Sequence, residues 1–172
     1  MIAIAKPLLG SEEFEAVKRV LESGKLTQGT VVQEFEKNLA QYGEYKHAIA
    51  VSSGTAALHV AMHVLGVGQK DEVIVPDFTF IATANAARYV GAKPRFADVD
   101  KKTFNVTAKT LKKKLSKKTK AIIPVSLYGQ PYNVDEVIEF ARENNLPVVS
   151  DNCQAIGAKW KGKKNFGDSM SV

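Results

Sequence analysis

Little in these 172 residues can be cross-linked or can grip a metal: there is one cysteine, Cys153, and there are three histidines, His47, His59 and His63. A single thiol excludes an intramolecular disulfide scaffold and agrees with a reducing compartment, so the expected location is the cytoplasm. His59 and His63 stand four apart on an apolar stretch, but nothing ties them to a further ligand, so no metal site is expected. No apolar run approaches the roughly 18 residues that cross a bilayer, and Met1-Ile2-Ala3-Ile4-Ala5-Lys6-Pro7 is too short and too soon broken for a signal peptide. No membrane partner is expected. With 45% hydrophobic and 24% charged residues the composition is that of an ordinary globular protein, and the length suits one domain.

Acid is the other shortage. There are 24 Lys and Arg against 18 Asp and Glu, a formal charge of +6 that favours an anionic ligand. Much of the excess sits in Lys109 to Lys120, where Thr107 can act as an N-cap and Leu111 and Leu115 are four apart, predicting a helix over Thr107 to Thr119 with its lysines outward. A solvated helix face explains such a run without nucleic acid as a partner. The alternative is a non-catalytic module that binds an acidic partner or nucleic acid, whose mark would be a steep salt dependence.

What is present is an alternation of strand-length apolar runs with stretches of helical period. Ser11 can cap a helix with Glu12 and Glu13 in its first turn, an apolar stripe of Phe14, Val17, Val20 and Leu21, and Gly24 as its stop. A second helix is predicted from Val31 to Tyr42. His47 to Val51 reads as a strand, and Ser52-Ser53-Gly54-Thr55 turns into a helix carrying Ala57, Leu58, Ala61, Met62 and Leu65 as far as Gly66. Strands follow at Glu72 to Val75, Pro94 to Val99, Lys120 to Val125 and Leu146 to Val149. Helices are predicted over Phe80 to Tyr89 and after Asn133 or Asp135. Ala158 to Asp168 reads as an antiparallel excursion turning at Gly162, and Ser169 to Val172 as the opening of a further strand. The expected fold is α/β, a mainly parallel sheet with helices on both faces.

In such a sheet ligands sit beyond the carboxyl ends of the strands. Three positions there stand out. Ser53-Gly54-Thr55-Ala56 offers a glycine, a hydroxyl and the free N–H groups of a helix start, which make a phosphate cradle or an ordinary N-cap. Asp151, just after Leu146-Pro147-Val148-Val149-Ser150 and near Gln154, can bind a ribose, a metal or a protonated nitrogen, or can cap a turn. Asp77-Phe78-Thr79-Phe80 places an aromatic ring over the same mouth or in the core. Taken together, a phosphate cradle, an aromatic plate and a carboxylate suit a flat, phosphorylated nitrogen heterocycle, and pyridoxal phosphate fits.

Five segments in order carry a family resemblance: Gly24-Lys25-Leu26-Thr27-Gln28-Gly29, Ser53 to Leu58, Val73 to Phe80, Leu127-Tyr128-Gly129-Gln130-Pro131, and Asp151-Asn152-Cys153-Gln154-Ala155. In these the chain resembles the DegT-type (DegT/DnrJ/StrS) sugar aminotransferases of aspartate aminotransferase-like fold, the fold type I pyridoxal phosphate enzymes. The resemblance implies that Gly54, Thr55 and Ala56 hold the cofactor phosphate, that Phe80 stacks on its ring, that Asp151 pairs with the pyridine nitrogen and that Gln154 lies beside the ring hydroxyl. It implies a nucleotide-linked keto sugar as substrate, as in polysaccharide biosynthesis, glutamate as amino donor, and a homodimer with Leu26 to Gly29 near a shared site. It also implies that residues 1–172 are the N-terminal part of the large domain, without the smaller C-terminal domain. The Schiff-base lysine is then expected beyond Val172, leaving no catalytic residue in this chain, which should not turn over alone. A few members of the family resemble dehydratases, with His in place of that lysine. Two departures stand out, Ser126 where the family usually has His and Ser150 where it usually has an acid.

Overall fold

The structure is a computed structural model that describes residues 6–164, 166 and 170–172. The segments read at Met1 to Ala5 and at Gly167 to Ser169 lie outside the described residues. The chain forms two compact units, one of residues 1–41 and 46–50, the other of 42–45 and 51–172.

The second unit is built on parallel strands: β1 (Glu72–Pro76), β2 (Lys93–Ala97), β3 (Thr119–Ile122), β4 (Val149–Ser150) and β5 (Met170–Ser171). β1 lies between β2 and β3, β4 pairs with β5, and single parallel bridges at Ile122–Val148 and Val125–Asp151 join β3 to β4. Side chains alternate across β1. Val73 and Val75 enter one buried cluster with α3 (Gly54–Val64) and α4 (Ala82–Tyr89), while Ile74 enters another with α5 (Ala108–Lys112) and α6 (Val134–Glu143). The expected sheet with helices on both faces is therefore present. Glu72, buried at the start of β1, is satisfied by the Ser116 hydroxyl at 2.6 Å and by Arg95 at 3.6 Å.

The first unit holds α1 (Ser11–Glu22) and most of α2 (Thr30–Gly43). Gly10, not Ser11, is the N-cap of α1, because the Glu13 carboxylate reaches back to accept the Gly10 N–H at 2.7 Å. Phe14, Val17 and Leu21 of the predicted stripe are exposed.

Three other expectations change. His47 to Val51 forms no strand: no ladder partner meets it among the described residues, and the Ala50 N–H is accepted by the Glu36 carboxylate at 2.8 Å. The basic helix ends at Lys112. Between 101 and 134 the chain has nine lysines and no acid, so pairs such as Lys109 with Lys113 repel where a helix would need support. The Ser116 and Thr119 hydroxyls instead take the N–H groups of Lys118 and Ser116. Helix α4 starts at Ala82 rather than Phe80. The excursion near Gly162 is a tight antiparallel turn: Trp160 and Lys163 exchange both backbone hydrogen bonds, with Lys161 and Gly162 at positive φ.

Ile74 is fully buried in the central strand. Ile74→Ala should cost about 2–5 kcal/mol in urea unfolding; a loss below about 1 kcal/mol would show that this face of the sheet is loosely packed.

Candidate active site

Five of the six residues expected at the site come together. Gly54, Thr55, Phe80, Asp151 and Gln154 line a cavity of about 380 Å³ with Thr79 and Cys153. It lies beyond the carboxyl ends of β1, β3 and β4, where an open α/β sheet takes its ligands. The sixth, Ala56, contributes backbone: its N–H is accepted by the Ser53 hydroxyl at 3.1 Å, which fixes the start of α3. The N–H groups of Gly54 and Thr55 have no partner among the described residues, so the start of an 11-residue helix opens on the cavity with its positive dipole end. A Cβ on Gly54 would lie 2.8 Å from the Cys153 sulfur, so a larger residue there would require the Cys153 side chain to shift.

Asp151 also lines the cavity, 7% exposed. The Val125–Asp151 bridge anchors its backbone, with Asp151 N–H donating to the Pro124 carbonyl and Ser126 N–H to that of Asp151, both at 2.9 Å. Its Oδ2 accepts from the Thr83 hydroxyl at 3.0 Å and its Oδ1 from the Cys153 N–H at 3.3 Å. Among the described residues no cation pairs with it. A buried carboxylate without a counter-charge, on the wall of a cavity, fits a protonated ring nitrogen.

Gln154 is fixed by the loop after β3. Its Oε1 accepts the N–H of Tyr128 at 3.0 Å, which leaves the amide Nε2 to donate toward a ligand oxygen. Asn105 ties down the same loop, accepting the Leu127 N–H at 3.2 Å and donating to the Gln130 carbonyl at 3.0 Å. Phe80 is 69% exposed at the cavity, so it is a plate over the mouth rather than a core residue.

The two serines that depart from the expected pattern are fully buried and serve the framework. Ser126 donates to Asn152 Oδ1 at 2.6 Å, and Ser150 shares a 2.5 Å hydrogen bond with Tyr132, whose phenol burial pushes above its ordinary range. Thr83 and Asn105 are additions that the sequence reading does not contain. Thr83 had a signal: it is the one hydroxyl among the buried alanines of α4, Ala82, Ala84, Ala86 and Ala87. Among the described residues no group of three or more His, Cys, Asp and Glu is placed to hold a metal, and no helix is long and apolar enough to cross a membrane.

A parallel sheet wrapped on both faces, with a helix-start cradle and a buried carboxylate at its carboxyl edge, is the layout of the fold type I pyridoxal phosphate enzymes. The sequence pattern of the DegT/DnrJ/EryC1/StrS aminotransferase family matches residues 7–171, and the chain belongs to that family. It is 44% identical over 165 residues to a GDP-perosamine synthase of Caulobacter vibrioides, covering 95% of this chain and 44% of that protein. It is 42% identical over 149 residues to a UDP-2-acetamido-2-deoxy-3-oxo-D-glucuronate aminotransferase of Pseudomonas aeruginosa, covering 87% and 42%. The PMP-form structure of a sugar aminotransferase from Streptococcus pneumoniae superposes with a TM-score of 0.92 at 30% identity, covering 98% of this chain and 46% of that one. The chain thus spans a little under half the length of these relatives.

Cys153 is exposed at the cavity, not in the core. Desolvation, and then the neighbouring Asp151 carboxylate, push its thiol up to about 12. Because the thiolate is the reacting form, iodoacetamide at pH 8 should modify folded Cys153 roughly tenfold or more slowly than the unfolded chain, faster as pH rises and faster in Asp151→Asn. Equal rates in folded and unfolded protein would contradict this environment.

Proposed function

We propose that residues 1–172 form the N-terminal part of the large domain of a pyridoxal phosphate-dependent aminotransferase that aminates a nucleotide-linked keto sugar, with glutamate as amino donor. The observation that carries this reading is the pairing, across one cavity, of a free helix start at Gly54 and Thr55 with a buried carboxylate that lacks a cation. Those two features match the two charged ends of the cofactor. The relatives' names, one a GDP-linked and one a UDP-linked sugar enzyme, support the substrate class.

Bound here, pyridoxal phosphate supplies an electron sink for removing a proton next to nitrogen. The residues of this chain would do the holding. The N–H groups of Gly54 and Thr55 and the Thr55 hydroxyl bind the phosphate, helped by the dipole of α3. Asp151 keeps a proton on the ring nitrogen, since an ionised carboxylate in a buried wall favours the charged partner. Gln154 Nε2 donates to the ring hydroxyl, and Phe80 covers the ring face and sheds water from it. In this reading the Schiff-base lysine belongs to the part of the relatives' length that these residues do not span. The smaller C-terminal domain belongs there too.

The exposed Phe14, Val17, Leu21, Val31 and Phe35 support a homodimer, because apolar stripes of this extent on α1 and α2 suit an interface. The shared site would then take the Leu26 to Gly29 segment of each subunit. A cytoplasmic enzyme suits the single unpaired cysteine.

The test is an assay with glutamate and GDP- or UDP-linked keto sugars, run on residues 1–172 and on the longest gene product that carries them. The longer product should form 2-oxoglutarate in equal amount to an aminated sugar, and residues 1–172 alone should form none. Loss of a sugar hydroxyl with no amine gained would replace transamination by dehydration. Neither product from the longer protein would overturn the reading.

A further inference from the structure

Thr83 is fully buried, yet its hydroxyl does not serve its own helix: its side-chain partners are Asp151, 68 residues away, and Thr79. The directions of these bonds are fixed by chemistry. An ionised carboxylate only accepts, so the single Thr83 proton goes to Asp151 Oδ2 at 3.0 Å. The Thr79 hydroxyl, 3.1 Å from that of Thr83, must then be the donor between them. The result is a chain of two hydroxyl donors running from the cavity lining at Thr79, through the buried face of α4, to the carboxylate at the end of β4.

We propose that Thr83, backed by Thr79, is the positioning residue for Asp151: it occupies Oδ2, holds the carboxylate in one rotamer, and leaves Oδ1 for the ring nitrogen of the cofactor. This rests on the cofactor reading above. Oδ1 is the less tightly held oxygen, its backbone donor, the Cys153 N–H, standing at 3.3 Å. The neighbours of Thr83 on α4 are buried alanines, which offer no other donor to hold the carboxylate from that side. A hydroxyl donor in a desolvated wall also satisfies a buried carboxylate oxygen that would otherwise lack a partner. A valine at 83 would keep the shape and remove only the donor.

The experiment titrates the chain with two fluorescent or absorbing probes, pyridoxamine phosphate and its analogue with carbon in place of the ring nitrogen. Thr83→Val should weaken pyridoxamine phosphate about tenfold and leave the affinity for the nitrogen-free analogue unchanged. That unchanged affinity also shows that the variant is folded. Thr83→Ser should restore the loss, and Thr79→Val should give a smaller loss confined to the nitrogen-bearing probe. Equal weakening of both probes in Thr83→Val would reduce Thr83 to a packing role and overturn the proposal. Asp151→Asn separates the two levels: if it does not lower affinity for pyridoxamine phosphate relative to the analogue, the cofactor reading itself fails. If it does while Thr83→Val has no effect, only the role of Thr83 falls.

Discussion

A carboxylate buried without a cation is the constraint around which the site is arranged. Removing Asp151 from water is costly unless hydrogen bonds or an opposite charge compensate. The protein supplies part of that compensation, a hydroxyl from Thr83 and a backbone N–H from Cys153. What is left over is a carboxylate without a cation facing a cavity, which in the proposed function takes the ring nitrogen of the cofactor. The Cys153 thiol registers the same field, since desolvation and Asp151 together keep it protonated.

The rest of the sheet places the start of α3 on the same cavity. β1, β3 and β4 run parallel, so the loops that follow them, carrying Thr79 and Phe80, Val125, and Asp151 with Gln154, open on one edge. α3 begins at that edge and presents its unpaired N–H groups there. The helix start and the Asp151 carboxylate therefore border one cavity, while Phe80 and Leu58 supply apolar walls. The loop at Leu127–Gly129 is fixed at both ends by Asn105 and in its middle by Gln154, which accepts the Tyr128 N–H, with Tyr128 held at φ 53°. The sequence motif in that loop thus acts by orienting Gln154.

Much of this was legible in the residues because it depends on local chemistry. The β-branched runs marked β1 and β3, Ser53-Gly54-Thr55 marked a capped helix start, and an acid directly after Leu146 to Ser150 had to lie at the mouth of the sheet. Other features depend on what the chain meets elsewhere. His47 to Val51 has the composition of a strand, but pairing needs a partner edge, and the Glu36 carboxylate takes the Ala50 N–H instead. The lysine run has a helical period, but period does not count the repulsion between like charges, so α5 stops after five residues. Thr83 is silent in the sequence because its meaning lies in a contact across 68 residues. The serines at 126 and 150 read as departures from the family pattern, and both are closed inside the framework, by Asn152 and Tyr132.

Nitrogen magnetic resonance reads directly whether Asp151 keeps a cofactor's ring nitrogen protonated. Pyridoxamine phosphate carrying ¹⁵N in the ring, bound to the wild-type chain, should show the shift of a protonated nitrogen at pH values where the free compound has lost its proton. A bound ring nitrogen that titrates as it does in free solution would contradict the role given to Asp151, and with it the reading of the cavity.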